Sequence, residues 1–308
     1  MNEGRYREAE RALWSRYGLA PDEQRVGLTR NRTTVRIQEV GEGPPVLFIH
    51  GGPNSGSTWV PLVAHLPGVR CILLDRPGTG LSDPLPEPLT LDRAPPYGVR
   101  LVEDVLDALE LDRAHLLGSS FGGHLALHAA AGAPARVDHM VQLGCPAMAP
   151  GMATPPFMRA MALAPVRRLL GMLPPTKAGG RSTLRQIGHR TSLRAGVIPD
   201  EFLDWYLALQ RDTDTMANET ATIASGVTLR GFTPELTIAD EVLDGVKCPT
   251  SLIWGADDTF GSETVATALE HRLADAELHV LARAGHLPWI DEPELCGELI
   301  GAFLSPGK

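Results

Sequence analysis

The stretch AHLLGSSFGGHLALHAA at residues 114–130 decides the fold. Ala114 to Leu117 is a short apolar run of the kind shown by a strand buried on both faces. Gly118-Ser119-Ser120-Phe121-Gly122 breaks the run, and Phe121 to Ala131 then reads as a helix. A strand that turns at once into a helix around G-x-S-x-G makes a sharp, strained elbow. Bulk at Gly118 or Gly122 would meet neighbouring backbone there. The turn lifts the Ser120 hydroxyl above the end of a sheet. The helix start behind it offers free N–H groups and the positive end of a dipole. Ser120 is therefore the candidate nucleophile.

The same alternation repeats on both sides of this elbow. Upstream, Thr33 to Val40 alternates in polarity, and Val46 to Ile49 and Cys71 to Leu74 are short apolar runs broken by turn residues. Trp59 to Leu66 and Leu101 to Leu111 read as helices. Downstream come a strand at Met140 to Leu143, another at Thr250 to Trp254, a helix at Glu263 to Leu273, a strand at Leu278 to Leu281 and a helix at Glu294 to Phe303. Short apolar strands alternating with helices predict an α/β fold, a mostly parallel sheet with helices on both faces. Residues 147–235 do not fit this pattern. They hold helix-like segments rich in Pro and Met, and six of the eight methionines lie between Met140 and Met172. The expected layout is a core made of 1–146 and 236–308 with a helical cap at 147–235. Residues 1–17 carry Tyr6, Ala9, Leu13 and Trp14 at helical spacing and read as an amphipathic helix packed on that core.

Composition narrows the partners. The 308 residues suit one large domain with an insertion. A net charge of -9 argues against a broad basic face for nucleic acid and gives no pull toward anionic lipid. The four cysteines are scattered without a C-x-x-C pair, so neither a zinc ribbon nor a thioredoxin-like motif is present, and they read as reduced. The charged N-terminus is no secretory signal, and no stretch nears the ~20 apolar residues of a membrane helix. A cytoplasmic protein with a small-molecule substrate, and with no nucleic-acid or membrane partner, is expected. No P-loop, dinucleotide fingerprint or H-E-x-x-H occurs, so no cofactor or metal is implied. Oligomeric state is not legible.

A serine hydroxyl near pH 7 needs a base within hydrogen-bond reach, and the base needs an orienting group. His286, in Ala284-Gly285-His286-Leu287-Pro288, alone among the ten histidines has a turn-flanked setting just after a strand. His124 and His128 on the helix after the elbow read as packing or surface residues. His115 opens a strand, and His50 ends one and supports the neighbouring loop. The acid should also follow a strand, and Asp257 and Asp258 are both candidates. Acyl transfer builds negative charge on the carbonyl oxygen, which two fixed N–H donors can hold. One is that of Phe121, the residue after the nucleophile. The other should come from the loop after Val46–Ile49.

HGGP at 50–53, DRPGTGLSD at 75–83, GSSFGG at 118–123, WGADD at 254–258 and GHLPWIDEP at 285–293 follow one another in the chain. With these motifs the sequence resembles the α/β-hydrolase family over nearly its whole length. The resemblance implies an α/β-hydrolase fold with an inserted cap, and a triad of Ser120, His286 and Asp258, the last position of G-x-x-D. It also implies Gly52 as the second oxyanion donor. Residues 144–148, the other place where some members carry the acid, hold no carboxylate. DRPGTGLSD reads as architecture without chemistry, Asp75 bonding to backbone. Serine at 120 excludes the aspartate nucleophile of epoxide hydrolases and haloalkane dehalogenases. HGGP is similar to the motif of proline iminopeptidases, but Asn54 stands where glycine is usual and the elbow is GSSFGG rather than GGSWGS, which disfavours peptide cleavage.

The expected activity is that of a carboxylesterase-like serine hydrolase. It would cleave an ester, thioester, lactone or amide of a small hydrophobic substrate through an acyl-enzyme. The same triad serves acyl transfer, cyclisation or hydrolysis of a carbon–carbon bond beside a ketone. A non-catalytic receptor would have an eroded triad, which this chain does not. Met, Leu, Ala and Phe157 residues of the cap are expected either to line an apolar pocket or to pack the cap on the core. Arg159, Arg167, Arg168, Arg181, Arg185, Arg190 and Arg194 are expected on solvated faces.

Overall fold

The structure, a computed structural model, describes residues 1–305. Helix α1 (Glu3–Arg16) leads into β1 (Asp22–Leu28) and β2 (Thr33–Val40), then β3 (Pro45–Ile49), α2 (Val60–Val63) and β4 (Arg70–Leu74). Next come α3 (Ala94–Ala108), β5 (Ala114–Ser119), α4 (Phe121–Gly132) and β6 (Val137–Leu143). The stretch 147–235 holds α5 (Pro156–Ala160), α6 (Ala164–Met172), α7 (Lys177–Gln186), α8 (Arg190–Ala195), α9 (Asp200–Asp212) and α10 (Thr215–Ala224). It also holds a small hairpin of β7 (Val227–Thr228) and β8 (Gly231–Phe232), which periodicity did not foretell because each strand is so short. The chain ends with α11 (Asp240–Gly245), β9 (Thr250–Gly255), α12 (Glu263–Arg272), β10 (Ala276–Leu281), α13 (Pro288–Asp291) and α14 (Pro293–Leu304).

The main sheet has the order β1-β2-β4-β3-β5-β6-β9-β10. The pairs β1–β2 and β2–β4 are antiparallel, and every pair from β4 to β10 is parallel. The expected mostly parallel sheet is the one observed. Strands β5 and β9 are buried along their whole length, as continuous apolar runs require when helices cover both faces. Strand β1 escaped the sequence reading because its first four residues are exposed and polar, and only Val26 and Leu28 turn inward.

Strand order positions the site. The chain leaves β3 for β4 on one side and returns to β5 on the other, so order reverses between β3 and β5. Loops that part at such a switch point leave a crevice beyond the carboxyl ends of the strands. The register aligns those ends: Ile49 lies beside Gly118, Ser119 beside Leu143, Leu143 beside Ile253, and Gly255 beside Leu281. Residues 51–52, 120, 258 and 286 all emerge from this edge.

Helix α1 buries Tyr6, Leu13 and Trp14, as its periodicity implied. Its partners are more varied than a simple core face. Asn2 N–H bonds to Asp212 at the end of α9, and the Trp205 indole of α9 donates to the Tyr6 hydroxyl at 3.3 Å. Glu10, on the same buried face, takes both Nη atoms of Arg36 on β2, at 2.8 and 2.5 Å. A buried guanidinium demands such a partner, because removing either charge would strand the other away from water.

Candidate active site

Ser120 sits at φ 51 and ψ -121, outside the regions comfortable for an L-residue. Its backbone is held there by two bonds to its carbonyl, from His124 N at 3.0 Å and Ala147 N at 2.9 Å. The elbow closes because residue 122 is glycine: a Cβ there would overlap the carbonyl oxygens of Ile49 and His50 at the end of β3. Strain of this kind survives only where the surroundings over-determine it.

His286 and Asp258 are brought together. The imidazole Nδ1 lies 2.9 Å from Asp258 Oδ2 and 3.1 Å from Oδ1. An ionised carboxylate only accepts, so Nδ1 carries a proton and Nε2 is the ring nitrogen left to face the serine. Both residues are buried, at 4% and 6% exposure. Asp258 is fixed by two further donors, Cys145 N at 2.9 Å and Phe260 N at 2.8 Å. The Phe260 ring lies 4.3 Å from the imidazole and closes that side. Asp257, the other candidate, is exposed. Among the described residues no hydrogen bond joins Ser120 Oγ to His286 Nε2, a bond that is often loose in unliganded sites. The acid-free loop after β6 nonetheless ties the two halves together, since Cys145 N–H serves Asp258 and Ala147 N–H serves Ser120.

Gly52 and Phe121 line one cavity with Ser120. Phe121 holds the first position of α4, where an N–H has no acceptor inside its own helix. The loop carrying Gly52 is braced by His50, whose Nδ1–H donates to Gly51 O at 2.7 Å and whose Nε2 accepts from Arg76 N at 3.2 Å. Burial, and secondarily the Arg76 charge, hold the His50 pKa well below its ordinary value, so it is a neutral brace. His124 and His128 pack inside, 4.5 Å apart. Burial lowers their pKa values to about 3 and about 4.

Four residues of this region were not singled out from sequence. Arg76, in the segment read as architecture, donates to His50 O at 2.9 Å and Gly51 O at 3.2 Å, and its guanidinium lies 5.1 Å from the Phe121 ring centre. Asp75 beside it does bond backbone, accepting from Gly56 N and Leu81 N. Arg76 also donates to Glu219 Oε1 of α10 at 2.9 Å. The other two are His189 and Asp291. Successive N–H groups of the histidine loop reach Asp291 Oδ2 (from Gly285, 2.8 Å), Ile187 O (from His286, 2.9 Å) and His189 Nε2 (from Leu287, 3.3 Å). His189 Nδ1 in turn lies 2.7 Å from Asp291 Oδ2. Because Leu287 N–H can only donate, His189 is neutral with its proton on Nδ1. Asp291 and Arg76 lay inside quoted motifs without being singled out, and no local pattern marks Glu219 or His189.

The cavity at Ser120 is walled by Leu91, Ala147, Met148, Met158, Ile223 and Phe232. Phe157 does not line it and instead meets Phe260 edge-on, 6.5 Å between ring centres. None of the seven arginines between 159 and 194 lines it, and none of them is buried. Among the described residues no helix is long and apolar enough to cross a membrane.

A family model described as alpha/beta hydrolase fold matches residues 44–293. A curated relative, 2-hydroxy-6-oxo-6-phenylhexa-2,4-dienoate hydrolase of Burkholderia cepacia, is 27% identical over 281 residues, 89% of this chain and 92% of the relative. Among solved structures, a Bacillus subtilis carboxylesterase superposes with a TM-score of 0.76 at 19% identity over 99% of each chain. A dienoate hydrolase of the same description from Rhodococcus sp. strain RHA1 gives 0.74 at 19% identity, over 93% of this chain and 99% of its own.

Proposed function

We propose that Ser120, His286 and Asp258 are the catalytic triad of this chain, which belongs to the α/β-hydrolase family and is a serine hydrolase. Ser120 Oγ attacks a carbonyl carbon while His286 Nε2 takes its proton. Asp258 keeps the imidazole in the right tautomer and stabilises the imidazolium. The oxyanion of the tetrahedral intermediate is held by the N–H groups of Gly52 and Phe121, each worth ~3–4 kcal/mol of barrier. His286 then hands its proton to the leaving group, and a water activated by the same imidazole releases the acyl group. The observation that carries this reading is the buried His286–Asp258 pair, bonded through Nδ1, at the sheet edge where the strained Ser120 emerges.

The apolar walls support a small hydrophobic substrate, an ester, thioester, lactone or amide, with residues 147–235 acting as the cap over it. A second reading has support from the relatives. A 2-hydroxy-6-oxo-dienoate contains no ester, so water can split it only at the carbon–carbon bond beside its ketone. The same triad would then protonate a carbon leaving group. The test is turnover of p-nitrophenyl esters of graded chain length and of a 6-oxo-dienoate, together with labelling by a fluorophosphonate. Ser120→Ala should abolish labelling and lower the rate by on the order of 10⁶-fold, as loss of a triad nucleophile does. A variant that keeps most of its turnover overturns the assignment.

A further inference from the structure

Among the described residues that line the cavity at Ser120, Glu219 alone carries a charge. It stands on α10 at 5% exposure. Its Oε1 accepts from Arg76 Nη2 at 2.9 Å, and Arg76 itself is buried behind it, with its other bonds on His50 O and Gly51 O. Oε2 has no hydrogen-bond partner among the described residues. It rests against Gly52, filling the space where any Cβ at 52 would stand. The guanidinium is thus screened by the carboxylate, and the charged atom that an incoming substrate meets is Oε2.

We propose that Glu219 sets the charge selectivity of the pocket: it excludes substrates whose enclosed part bears a carboxylate and admits uncharged ones. A second carboxylate entering the cavity beside Oε2 would give up water and face a like charge in surroundings that screen poorly. Arg76 does not offset this, because it bonds to His50 O, Gly51 O and Glu219 Oε1 and does not itself line the cavity. The inference rests on the serine hydrolase reading and sharpens it, favouring neutral acyl substrates over dienoates.

The experiment compares kcat/KM for two matched pairs of esters. In one pair the charge is on the acyl side: p-nitrophenyl hexanoate against p-nitrophenyl hydrogen adipate. In the other it is on the leaving group: phenyl hexanoate against 4-carboxyphenyl hexanoate. The wild-type enzyme should prefer the neutral member at least tenfold in the pair whose charge enters the cavity. Glu219→Gln keeps the shape and leaves the Arg76 charge uncompensated. It should shrink that preference at least tenfold, chiefly through a lower KM for the anionic ester. Fluorophosphonate labelling and the thermal midpoint show that the variant is folded and its serine active. Unchanged ratios in both pairs, in a variant that still labels, overturn the inference, as does a wild-type preference for the anionic esters. A wild-type enzyme that neither labels at Ser120 nor turns over any ester overturns the catalytic reading beneath it instead.

Discussion

At Asp258 the carboxylate accepts from the His286 imidazole, from Cys145 N–H and from Phe260 N–H, while its neighbour Asp257 faces solvent. Burial and three directed donors keep Asp258 in one orientation, which is what an imidazole needs from its partner. Asp258→Asn presents an N–H where the imidazole already has one and forces the wrong tautomer. The expected loss is ~10⁴-fold in kcat, while Asp257→Asn should stay within a few-fold; steady-state kinetics at pH 7–8 decides. Sequence reading reached both aspartates because each follows a strand, and the G-x-x-D pattern favoured the second. It could not reach Arg76 or Glu219. Their bond spans 143 positions and joins a loop to a distant helix, so no periodicity or spacing encodes it.

At the scale of elements, apolar runs located every parallel strand to within a few residues, because all but the edge strand β10 are covered on both faces and leave little room for polar residues. Polar elements escaped: β1 at the sheet edge and α11, which opens on Asp240 and Glu241. Helix α3 begins seven residues before its predicted start at Leu101, since Pro95 and Pro96 occupy its first turn, where a missing N–H costs nothing. The latch between His189, Asp291 and the histidine loop belongs to this scale too. His189→Phe removes the acceptor for Leu287 N–H and the donor to Asp291. Positional slack at a base can cost ~10²-fold. A fall in kcat of about that size, with KM nearly unchanged, is expected, together with broadening of the downfield proton resonance of the His286–Asp258 bond. His189→Gln, which still offers an acceptor, should restore most of the loss.

For the whole molecule, burial keeps His50, His124 and His128 neutral in the fold. His124 and His128 have pKa values of about 3 and about 4, and His50 also lies well below normal. In the unfolded chain each returns to ~6.5. Between those limits the unfolded state binds more protons, so stability is full above pH 6.5 and drains away as pH falls toward 4. Thermal midpoints should be flat from pH 7 to 8 and drop steadily from 6.5 to 4.5, and His128→Gln should shallow that slope. The mostly parallel sheet was foreseeable in outline, whereas its reversal between β3 and β5 and the bonds from residues 187–189 to the His286 loop were not. That bracing has a corollary for traffic. If residues 187–189 swing away, the loop that carries the imidazole loses two of its bonds in the same motion. Admission and chemistry then occupy alternate moments, and a gaping enzyme is an unarmed one.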